Sequence, residues 1–507
     1  MKLLFNNLHE YALLQPESIA IRSENQSLTY AALMHDIEQL SEQLVALNAK
    51  SIGLYIDNGI EWIAIDLACS LAGISIVPLP WFFSQQQLQH ACNDAAIDYV
   101  VATPESNSGI AELITLGKSI ALYQHCVLYP VNRETNLTGI SRSNGGKVSY
   151  TSGTTGSPKG IWLENAFIQQ TATSICSAIG ELDIDRHLSI LPFATLLENI
   201  AGIYVPLMMG KTIYAEPASR IGLSSDLQLN PLALEQTFNQ TQPESLIVTP
   251  QLLEVLCLLA ENQRISTDYL KFVAVGGARV TDTLIKRARK ANIPAYEGYG
   301  LTEFGSVALL NTPQHDRIGT AGKPLPGVSI KIASDGEIIL STQIKTPVNG
   351  HIVNKMVKVE TGDLGEIDSD GYVYIHGRKS NTLVLSTGRN VSPEWVEAEL
   401  NLSPLIQQCY VYGEGQSQLS ALIGTNENTS DHTIQTEIDR INESLPAYAR
   451  IAHWKRLNQP FSVHSETLTP NGRLRRDNIQ YSLPYLLSSL SHRNIHNYLH
   501  IVENNRC

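Results

Sequence analysis

Short apolar runs alternate with helical stretches along the first three hundred residues, and this alternation constrains the fold more than any other feature. "SIGLYI" (51–56) is typical of a buried strand, "GIEWIAIDLACSLAG" (59–73) of a helix and "ISIVPLP" (74–80) of the next strand. The same order returns as "ESLIVTP", "QLLEVLCLLAEN" and "YLKFVAVGG" within 244–277. Strands separated by helices at this spacing pair in parallel, and the helices cover the sheet. The sequence therefore predicts an α/β fold with parallel sheets flanked by helices.

The character of the sequence changes at about residue 316, where short alternating strands replace the strand–helix pattern. "VSIKIASDGEIILS" surrounds Asp335-Gly336, and "LGEIDSDGYVYIHGR" surrounds Asp370-Gly371. Asp-Gly between two alternating runs is a strong signal for a β-hairpin. A smaller unit follows, with the helical stretch "SPEWVEAELN" and the strand-like "QQCYVYGEG". We therefore predict a large domain 1–379 with a β-rich subdomain at about 316–379, and a smaller α+β domain 380–507.

Charge and cysteine usage narrow the class of protein. The chain carries a net charge of -13, which disfavours a nucleic-acid partner because binding one requires clustered cations. Its 7 cysteines form no CxxC pair, a pattern typical of a reducing compartment without a structural zinc site. The start "MKLLFNNLHEYALL" has too short an apolar run for a signal peptide, and Pro78 and Pro80 interrupt the most apolar stretch. We expect a cytoplasmic protein with no membrane span.

The stretch "VSYTSGTTGSPKG" (148–160) carries the clearest chemical signal. It combines Gly153, Gly156 and Gly160 with hydroxyl residues and Lys159. Glycine lets backbone N–H groups approach an anion, hydroxyls add donors, and lysine adds a point charge. The Walker pattern GxxxxGK[ST] is absent, and an ordinary loop is the alternative interpretation. The density of donors favours phosphate binding.

Five motifs in order resemble those of the adenylate-forming, or AMP-binding, superfamily, which includes acyl-CoA synthetases, adenylation domains and beetle luciferases. The resemblance is closest to the fatty acyl-CoA synthetases and other acyl-activating ligases. It covers residues 148–476, and the N-terminal "DNGIEWIAIDLACSLAGISIVPL" is also typical of the family. The motifs are "YTSGTTGSPKG" (150–160), "YEGYGLTEFGSV" (296–307), "TGDLGEIDSDGYVYIHGRK" (361–379), "LVLSTGRNVSPEWVEAEL" (383–400) and "LTPNGRLRR" (468–476).

The resemblance implies that a carboxylate attacks the α-phosphate of ATP to give acyl-AMP and pyrophosphate, and that a thiol then takes the acyl group. The enzyme would be an AMP-forming acid–thiol ligase. The implied cofactors are ATP, Mg²⁺ and either coenzyme A or the phosphopantetheine of an acyl-carrier protein. The residues implied for the β- and γ-phosphates are Ser152, Gly153, Thr154, Thr155, Gly156 and Lys159.

The resemblance assigns the nucleoside and the reacting phosphate to the later motifs. Tyr299 has a flat face for stacking on adenine, and Asp363 offers two acceptor oxygens to the ribose hydroxyls. Glu303 would hold Mg²⁺, a cation that prefers oxygen ligands. Each residue taken singly also has an ordinary structural explanation. The implied nucleotide-binding set is Gly277, Ala278, Glu297, Tyr299, Gly300, Thr302, Asp363 and Arg378, and the implied catalytic set is Arg473, Thr302, Glu303 and Lys159.

The sequence departs from the family pattern at two places. After Asn-Gly the family usually has a lysine that binds the carboxylate and the α-phosphate, and here Arg473 stands in its place. We expect Arg473 to be the adenylation cation, although a guanidinium is a planar fork and an ammonium a compact charge. Arg475 and Arg476 would be helix-surface charges or a phosphate clamp for the incoming cofactor. The family hinge reads Lys379-Ser380-Asn381 instead of an acidic or Lys-Asp pair, with Ser380 as the pivot of a mobile small domain.

The resemblance places the acyl pocket along "LSILPFATLLENIAG" (188–202) and "VAVGGARV" (273–280). Amino-acid adenylation domains generally carry an aspartate in the first segment, and none precedes Glu198 here. We therefore expect a fatty or other apolar acid, with many of these side chains in the core rather than on the pocket wall. The predicted substrate residues are Phe193, Thr195, Leu196, Val275, Gly276 and Gly300, with Leu197 and Ile200 as further apolar candidates.

Two other functions stay open at the level of sequence. One is a non-catalytic nucleotide-binding relative with a regulatory or partner role, and the other is a stand-alone amino-acid adenylating domain. The loop "STGRNVSP" (386–393), with Gly388, resembles the family's pantetheine-facing loop, which does not distinguish coenzyme A from a carrier protein. His492, His496 and His500 recur every four residues, and a solvated or oligomer-facing helix is favoured over a zinc site.

Overall fold

The chain divides into two compact units, Met1–Ser380 and Asn381–Cys507, each described here by itself. A computed structural model describes residues 1–104, 110–111, 113, 119–131, 145–151, 159–223, 229–348, 351–426, 429–457, 459–463, 465–469 and 472–487.

The first unit contains, in chain order, α1 (Lys2–Leu14), β1 (Ile19–Arg22), β2 (Ser27–Thr29), α2 (Tyr30–Ala46), β3 (Ser51–Leu54), α3 (Ile60–Ala72), β4 (Ser75–Pro78), α4 (Gln85–Asp94), β5 (Tyr99–Ala102), β6 (Ile120–Tyr123), β7 (Cys126–Pro130), β8 (Gly146–Thr151), β9 (Lys159–Leu163), α5 (Asn165–Ile179), β10 (Arg186–Leu188), a π-helix (Glu198–Tyr204), α6 (Val205–Met208), β11 (Thr212–Tyr214), α7 (Ala218–Ile221), α8 (Pro231–Thr241), β12 (Ser245–Val248), α9 (Pro250–Glu261), β13 (Phe272–Val275), α10 (Asp282–Lys290), β14 (Ala295–Tyr299), a 3-10 turn (Thr302–Phe304), β15 (Leu309–Leu310), β16 (Lys323–Pro324), β17 (Val328–Ile332), β18 (Glu337–Val348), β19 (His351–Ile367) and β20 (Val373–Arg378).

Two mostly parallel sheets organise this unit. The larger has the order β16-β15-β14-β13-β12-β10-β11-β1-β2 and is parallel from β14 to β1. The second has the order β6-β7-β5-β3-β4-β8-β9 and is parallel from β5 to β8. Antiparallel strands close the edges of both sheets. The predicted α/β architecture with parallel sheets flanked by helices is confirmed.

Helix α3 shows why the parallel sheets need so many apolar residues. It starts after Gly59 and ends at Gly73, whose φ of 71° is the left-handed conformation that commonly terminates a helix. Residues 62–70 are all buried, including Trp62 and the charged Asp66. A helix that is apolar on every face belongs inside a protein, so α3 is an internal element of the first unit.

The four strands β17 to β20 form an antiparallel sheet in the order β17-β18-β19-β20. Its first hairpin turns at Asp335-Gly336 and its last at Asp370-Gly371, where both glycines have positive φ. Both predicted hairpins are confirmed. The register of the last pair sets Asp363 directly opposite Arg378, which brings two predicted site residues together.

The second unit contains β21 (Leu383–Val384), β22 (Asn390–Val391), α11 (Pro393–Asn401), β23 (Gln408–Tyr412), β24 (Leu419–Gly424), α12 (Asp431–Ser444), a 3-10 turn (Ala447–Ala449), β25 (Ile451–Arg456) and α13 (Arg476–Leu487). Strands β23, β24 and β25 form a mixed sheet, and the predicted small α+β domain is confirmed as a fold.

Arg476 is a structural cation of the second unit, so its prediction as a surface charge or phosphate clamp is wrong. Its side chain is only 13% exposed, and its guanidinium contacts the carboxylate of Glu397 and lies 3.4 Å from Oε1 of Glu394. It also donates to the carbonyl of Val411 and lies over the ring of Tyr410. Arginine presents several donors in a fixed fork, which suits a residue that joins α13 to α11 and β23.

Among the helices of the described residues, none combines the length and the apolar character that crossing a bilayer requires. In the same part of the chain no cluster of three histidine, cysteine or acidic residues is arranged to hold a metal ion. The histidines at 492, 496 and 500 lie outside the described residues.

Candidate active site

The site predicted for the nucleotide lies where β13 and β14 end. Val275 pairs with Glu297 in the parallel register, so the segments that follow both strands leave the sheet at the same edge. Ligands of open α/β sheets bind at such carboxyl ends. Gly277 and Ala278 are exposed there, and a Cβ atom at Gly277 would approach only Thr249, at 4.0 Å. The structure therefore leaves open space beside this backbone edge.

Gly300 allows the chain to turn tightly after β14. A Cβ atom at this position would lie 1.9 Å from the carbonyl oxygen of Ser306, so any larger residue would force the turn apart. The turn Thr302–Phe304 is anchored by Phe304, which is buried against Phe167 at a ring distance of 5.6 Å. Thr302 and Glu303 are held at the start of this turn and remain partly exposed.

Tyr299, Asp363 and Arg378 form one hydrogen-bonded group. The hydroxyl of Tyr299 donates to Oδ2 of Asp363 at 2.5 Å, and Nε of Arg378 lies 3.0 Å from Oδ1. Arg378 also donates to the carbonyl of Thr361 at 2.7 Å, which fixes its orientation. Burial and the neighbouring Asp363 carboxylate raise the pKa of Tyr299, so the phenol keeps its proton and donates. A carboxylate offers two acceptor oxygens, the groups that the family resemblance assigns to the ribose hydroxyls.

Glu297 lies on β14, two residues before Tyr299. Burial raises its pKa to about 8, and the charge of Arg279 opposes this shift only in part. Its backbone carbonyl accepts from the N–H of Asn311 at 2.9 Å, so the strand is fixed on this side. A carboxyl group of this kind can accept from, or donate to, a polar ring edge.

The predicted phosphate segment begins and ends on two paired strands. Thr151 at the end of β8 pairs with Lys159 at the start of β9, and the Lys159 side chain is exposed. The predicted phosphate-binding residues Ser152, Gly153, Thr154, Thr155 and Gly156 lie outside the described residues.

The predicted acyl segment contains both core residues and half-buried residues. Phe193 is fully buried, packs on Trp62 at a ring distance of 5.5 Å, and its N–H donates to Asn58 at 2.7 Å. Phe193 is therefore a core residue. By contrast, Leu197 is half-buried, and its Cδ2 lies 4.0 Å from a Cβ placed on Gly276. The other predicted members are Thr195, which is half-buried, and Leu196, Ile200 and Val275, which are buried.

The predicted hinge lies between two anchored residues. Lys379 contacts Asp335 at 2.6 Å and Glu337 at 3.2 Å within the first unit. The side chain of Asn381 donates to Glu394 at 2.6 Å within the second unit. Ser380 joins these two residues, and its role as a hinge stays a prediction.

Arg473 lies in the second unit, in a turn that its backbone closes with Thr469. The N–H of Thr469 donates to the Arg473 carbonyl at 2.6 Å, and the N–H of Arg473 donates to the Thr469 hydroxyl at 3.0 Å. The Arg473 residue is exposed. Gly388 is also exposed, with a φ of 75°, and a Cβ there would contact nothing within 4 Å.

Sequence reasoning missed a buried polar cluster that joins strand β8 to the π-helix after the predicted acyl segment. It consists of Lys147 on β8, Asp66 on α3, and Asn199 and Tyr204 in the π-helix. A signal was present, because a lysine in "GGKVSY" and an aspartate in "EWIAIDLACSL" interrupt otherwise apolar elements. Charged residues are rarely buried unless they are paired.

The residues present fit ATP and Mg²⁺. Gly277 is exposed where β13 leaves the sheet, Asp363 offers carboxylate oxygens within its group with Tyr299 and Arg378, and Glu303 is a partly exposed carboxylate in the turn that follows β14. Magnesium is commonly held by one or two carboxylates together with substrate phosphates, so a single protein carboxylate suffices.

This fold and this site define a class, and the chain belongs to it. The family model "AMP-binding enzyme" matches residues 8–352, and "AMP-binding enzyme C-terminal domain" matches residues 380–480. The predicted class of AMP-forming acid–thiol ligase, with ATP, Mg²⁺ and coenzyme A as cofactors, is confirmed. So is the activation of a small-molecule carboxylic acid through an acyl-AMP intermediate.

Individual relatives cover nearly the whole chain. The 2-succinylbenzoate–CoA ligase of Staphylococcus epidermidis is 26% identical over 93% of this chain and 97% of its own length. The anthranilate CoA ligase AuaEII in complex with anthranoyl-AMP has a similar structure, with a TM-score of 0.77 and 18% identity over 96% of this chain and 98% of its own. O-succinylbenzoate coenzyme A synthetase of Bacillus subtilis with ATP and magnesium ion has a TM-score of 0.71 and 20% identity over 94% and 99%. These names specify aromatic acids.

Proposed function

We propose that this protein joins an aromatic carboxylic acid of the 2-succinylbenzoate type to coenzyme A. The observation that carries the proposal is the hydrogen-bonded group of Tyr299, Asp363 and Arg378, together with Gly276 and Gly277, which follow the strand that pairs with the strand of Tyr299. The group suits ribose and adenine, and the two glycines place no side chain in the way of an aromatic ring. The aromatic acids named for the relatives support this choice of substrate over the fatty acid that the sequence motifs favoured.

In the first half-reaction an oxygen of the acid attacks the α-phosphorus of ATP, and the bond from that phosphorus to the bridging oxygen breaks to release pyrophosphate. Thr302 would donate to the α-phosphate, and Glu303 would hold Mg²⁺ beside it. Lys159 would balance the charge of the outer phosphates. In the second half-reaction the thiol sulfur attacks the acyl carbon and AMP leaves. Preorganised donors of this kind are the largest source of rate in such reactions.

A fatty acid is the second candidate. The half-buried Leu197 and the neighbouring Leu196 offer apolar surface that an alkyl chain could cover. A carrier protein as acceptor, a cytoplasmic location and a large domain ending at residue 379 stay predictions from sequence.

Acid-dependent exchange of labelled pyrophosphate into ATP tests the proposal. The panel comprises 2-succinylbenzoate, anthranilate, benzoate, octanoate and palmitate, each with ATP and Mg²⁺. We expect the highest kcat/KM with 2-succinylbenzoate, followed by the other aromatic acids. A preference for palmitate would replace the aromatic proposal by the fatty-acid one, and absence of exchange with every acid of the panel would overturn both.

Arg473→Lys tests the proposed adenylation cation. Both residues carry a positive charge, so we expect a change in the exchange rate of at most about 10²-fold, in either direction, with ATP affinity nearly constant. Arg473→Ala should lose about 10²–10³-fold. Unchanged exchange in the alanine variant would remove Arg473 from the reaction. The exposed Arg450→Ala, on the same unit, is the control.

A further inference from the structure

The π-helix Glu198–Tyr204 follows directly on the predicted acyl segment and is tied to its surroundings by buried polar side chains. π-Helices are rare and often mark functional sites. On one side, Glu198 lies 3.4 Å from Nε2 of His187, whose Nδ1 lies 2.9 Å from the hydroxyl of Ser245. His187 and Ser245 stand on the neighbouring strands β10 and β12. The helix is thus joined to the sheet that carries the nucleotide edge.

On the other side, the helix is joined to strand β8 through Lys147. Its ammonium group lies 2.6 Å from Oδ1 of Asp66 and 3.0 Å from the hydroxyl of Tyr204, and it also contacts Oδ1 of Asn199. These three acceptors match the three N–H donors of a lysine. The hydroxyl of Tyr204 donates in turn to the other oxygen of Asp66, which closes the cluster.

Lys147 lies between two segments that are predicted to bind the substrates. Lys147 is the second residue of β8, and the strand reaches Thr151, the last residue before the predicted phosphate segment, over ~13 Å. Asn199 and Tyr204 belong to the helix that begins right after Leu196 and Leu197 of the predicted acyl wall. One cation therefore connects the strand that leads to the phosphates with the helix that follows the acyl wall.

Stability alone gives no reason for such a cluster. Lys147 is 1% exposed and Asp66 is fully buried, and removing two charges from water is strongly unfavourable. Apolar residues of similar volume often replace a buried ion pair without loss of stability. Trp62 is fully buried and its ring centre lies 5.4 Å from the ammonium, so a large apolar ring borders the cluster.

We propose that Lys147 is a positioning residue that fixes strand β8 against the π-helix and thereby couples the phosphate-binding segment to the acid-binding segment. The coupling rests on the proposed function in one respect, namely that the acid binds beside Leu197. A displacement of about 1 Å between the two reacting groups costs up to ~10²-fold in rate.

The double variant Lys147→Met/Asp66→Asn removes both charges and keeps the side-chain volumes close. We expect its thermal midpoint to stay near that of the wild type, and its kcat for acid-dependent pyrophosphate exchange to fall ~10- to 10²-fold. The Kd of ATP alone should change less than about threefold. A folded double variant with the wild-type kcat would overturn the proposal. Lys211→Met removes a surface ion pair with Asp185, of 2.9 Å, and serves as the control with unchanged exchange.

If the double variant does not fold, Tyr204→Phe tests the proposed role of the cluster instead. It deletes one hydroxyl and leaves the ion pair of Lys147 and Asp66 in place. We expect a fall of ~10-fold in kcat with a preserved thermal midpoint. Wild-type exchange in this variant would overturn the proposal as well.

Hydrogen–deuterium exchange with ATP and Mg²⁺ alone separates this inference from the choice of acid. Peptides covering 145–163 and 196–205 are followed in the wild type and the double variant. We expect ATP to slow exchange in both peptides of the wild type, and only in 145–163 of the double variant. Equal protection of 196–205 in the two proteins would overturn the coupling. Absence of pyrophosphate exchange with every acid would instead count against the proposed substrate, and the peptide result would stand.

Discussion

At the scale of a single residue, the fold disfavours the ionised form of the Glu297 carboxyl group. It stands on β14 between a buried sheet and the exposed edge formed by Gly277 and Ala278. Burial raises its pKa to about 8, while Arg279, which would favour the ionised form, is turned to the carbonyl groups of Ile375 and His376. A protonated Glu297 at neutral pH could donate to a ring nitrogen as well as accept from an amino group.

Glu297→Gln should stabilise the protein increasingly as the pH rises. The ordinary pKa is 4.5 and the folded value about 8, so the folded state holds one more proton than the unfolded state between these values. Wild-type stability therefore declines from about pH 5 to about pH 8 through this group, whereas glutamine does not titrate. Urea unfolding at several pH values measures the difference between the two proteins. We expect the difference to grow up to about pH 8 and then level off, and a difference independent of pH would contradict the raised pKa.

At the scale of elements, the site depends on the turn after β14, which has no room for extra atoms. The turn after β14 brings the carbonyl of Ser306 so close to Gly300 that a methyl group has no room. The same turn holds Thr302 and Glu303, and Phe304 fixes it to α5 through Phe167. Its geometry therefore sets the position of two predicted catalytic residues at once.

Gly300→Ala should displace this turn. We expect a fall of about 10²-fold in pyrophosphate exchange and a loss of roughly 1–3 kcal/mol in the free energy of unfolding, because overpacking forces the backbone to shift. Gly298→Ala is the matched control on the same strand, where a Cβ would first meet the flexible side chain of Leu310 at 3.1 Å. If the pyrophosphate exchange rates of the two variants lie within about twofold of each other, the result would contradict a rigid turn.

The secondary-structure elements differ in how well the sequence predicts them. Helices such as α3 and the hairpins at Asp335-Gly336 and Asp370-Gly371 carry local signals, namely apolar periodicity and turn residues, and both were predicted. The long pair β18–β19 was missed, although Asn349-Gly350 is a strong hairpin signal. Strand β25 was missed because its "IAHWKR" is polar and half exposed.

The candidate site was predicted only where a motif lies near it in sequence. Tyr299, Asp363 and Arg378 were predicted from the family resemblance, and the structure brings them together. The role of Arg476 could not be read from its position beside two other arginines, since its partners lie some eighty residues earlier. Lys147 and Asp66 could be singled out because each interrupts an apolar element, but their pairing could not be predicted, since they lie 81 residues apart along the chain.

At the scale of the whole molecule, Ser380 stays the predicted pivot, and it joins two residues that are each held within one unit. Lys379 is anchored to β18 and the preceding turn through Glu337 and Asp335, and Asn381 is anchored to α11 through Glu394. If the two units rotate against each other, the held residues on either side of Ser380 leave few backbone dihedrals for that rotation. Hinges of this kind are short segments that absorb a large change in φ and ψ.

Ser380→Pro should separate the two half-reactions. Proline fixes φ near −65° and restricts the preceding residue, so it would hold the hinge in one arrangement. If the rotation serves the thiol step, we expect pyrophosphate exchange to change less than about threefold while thioester formation from coenzyme A falls ~10²-fold. Single-turnover release of AMP measures the second step. Ser380→Ala leaves the dihedrals free and should keep both rates, and an equal fall of both half-reactions in the proline variant would show that residue 380 does not control the change between them.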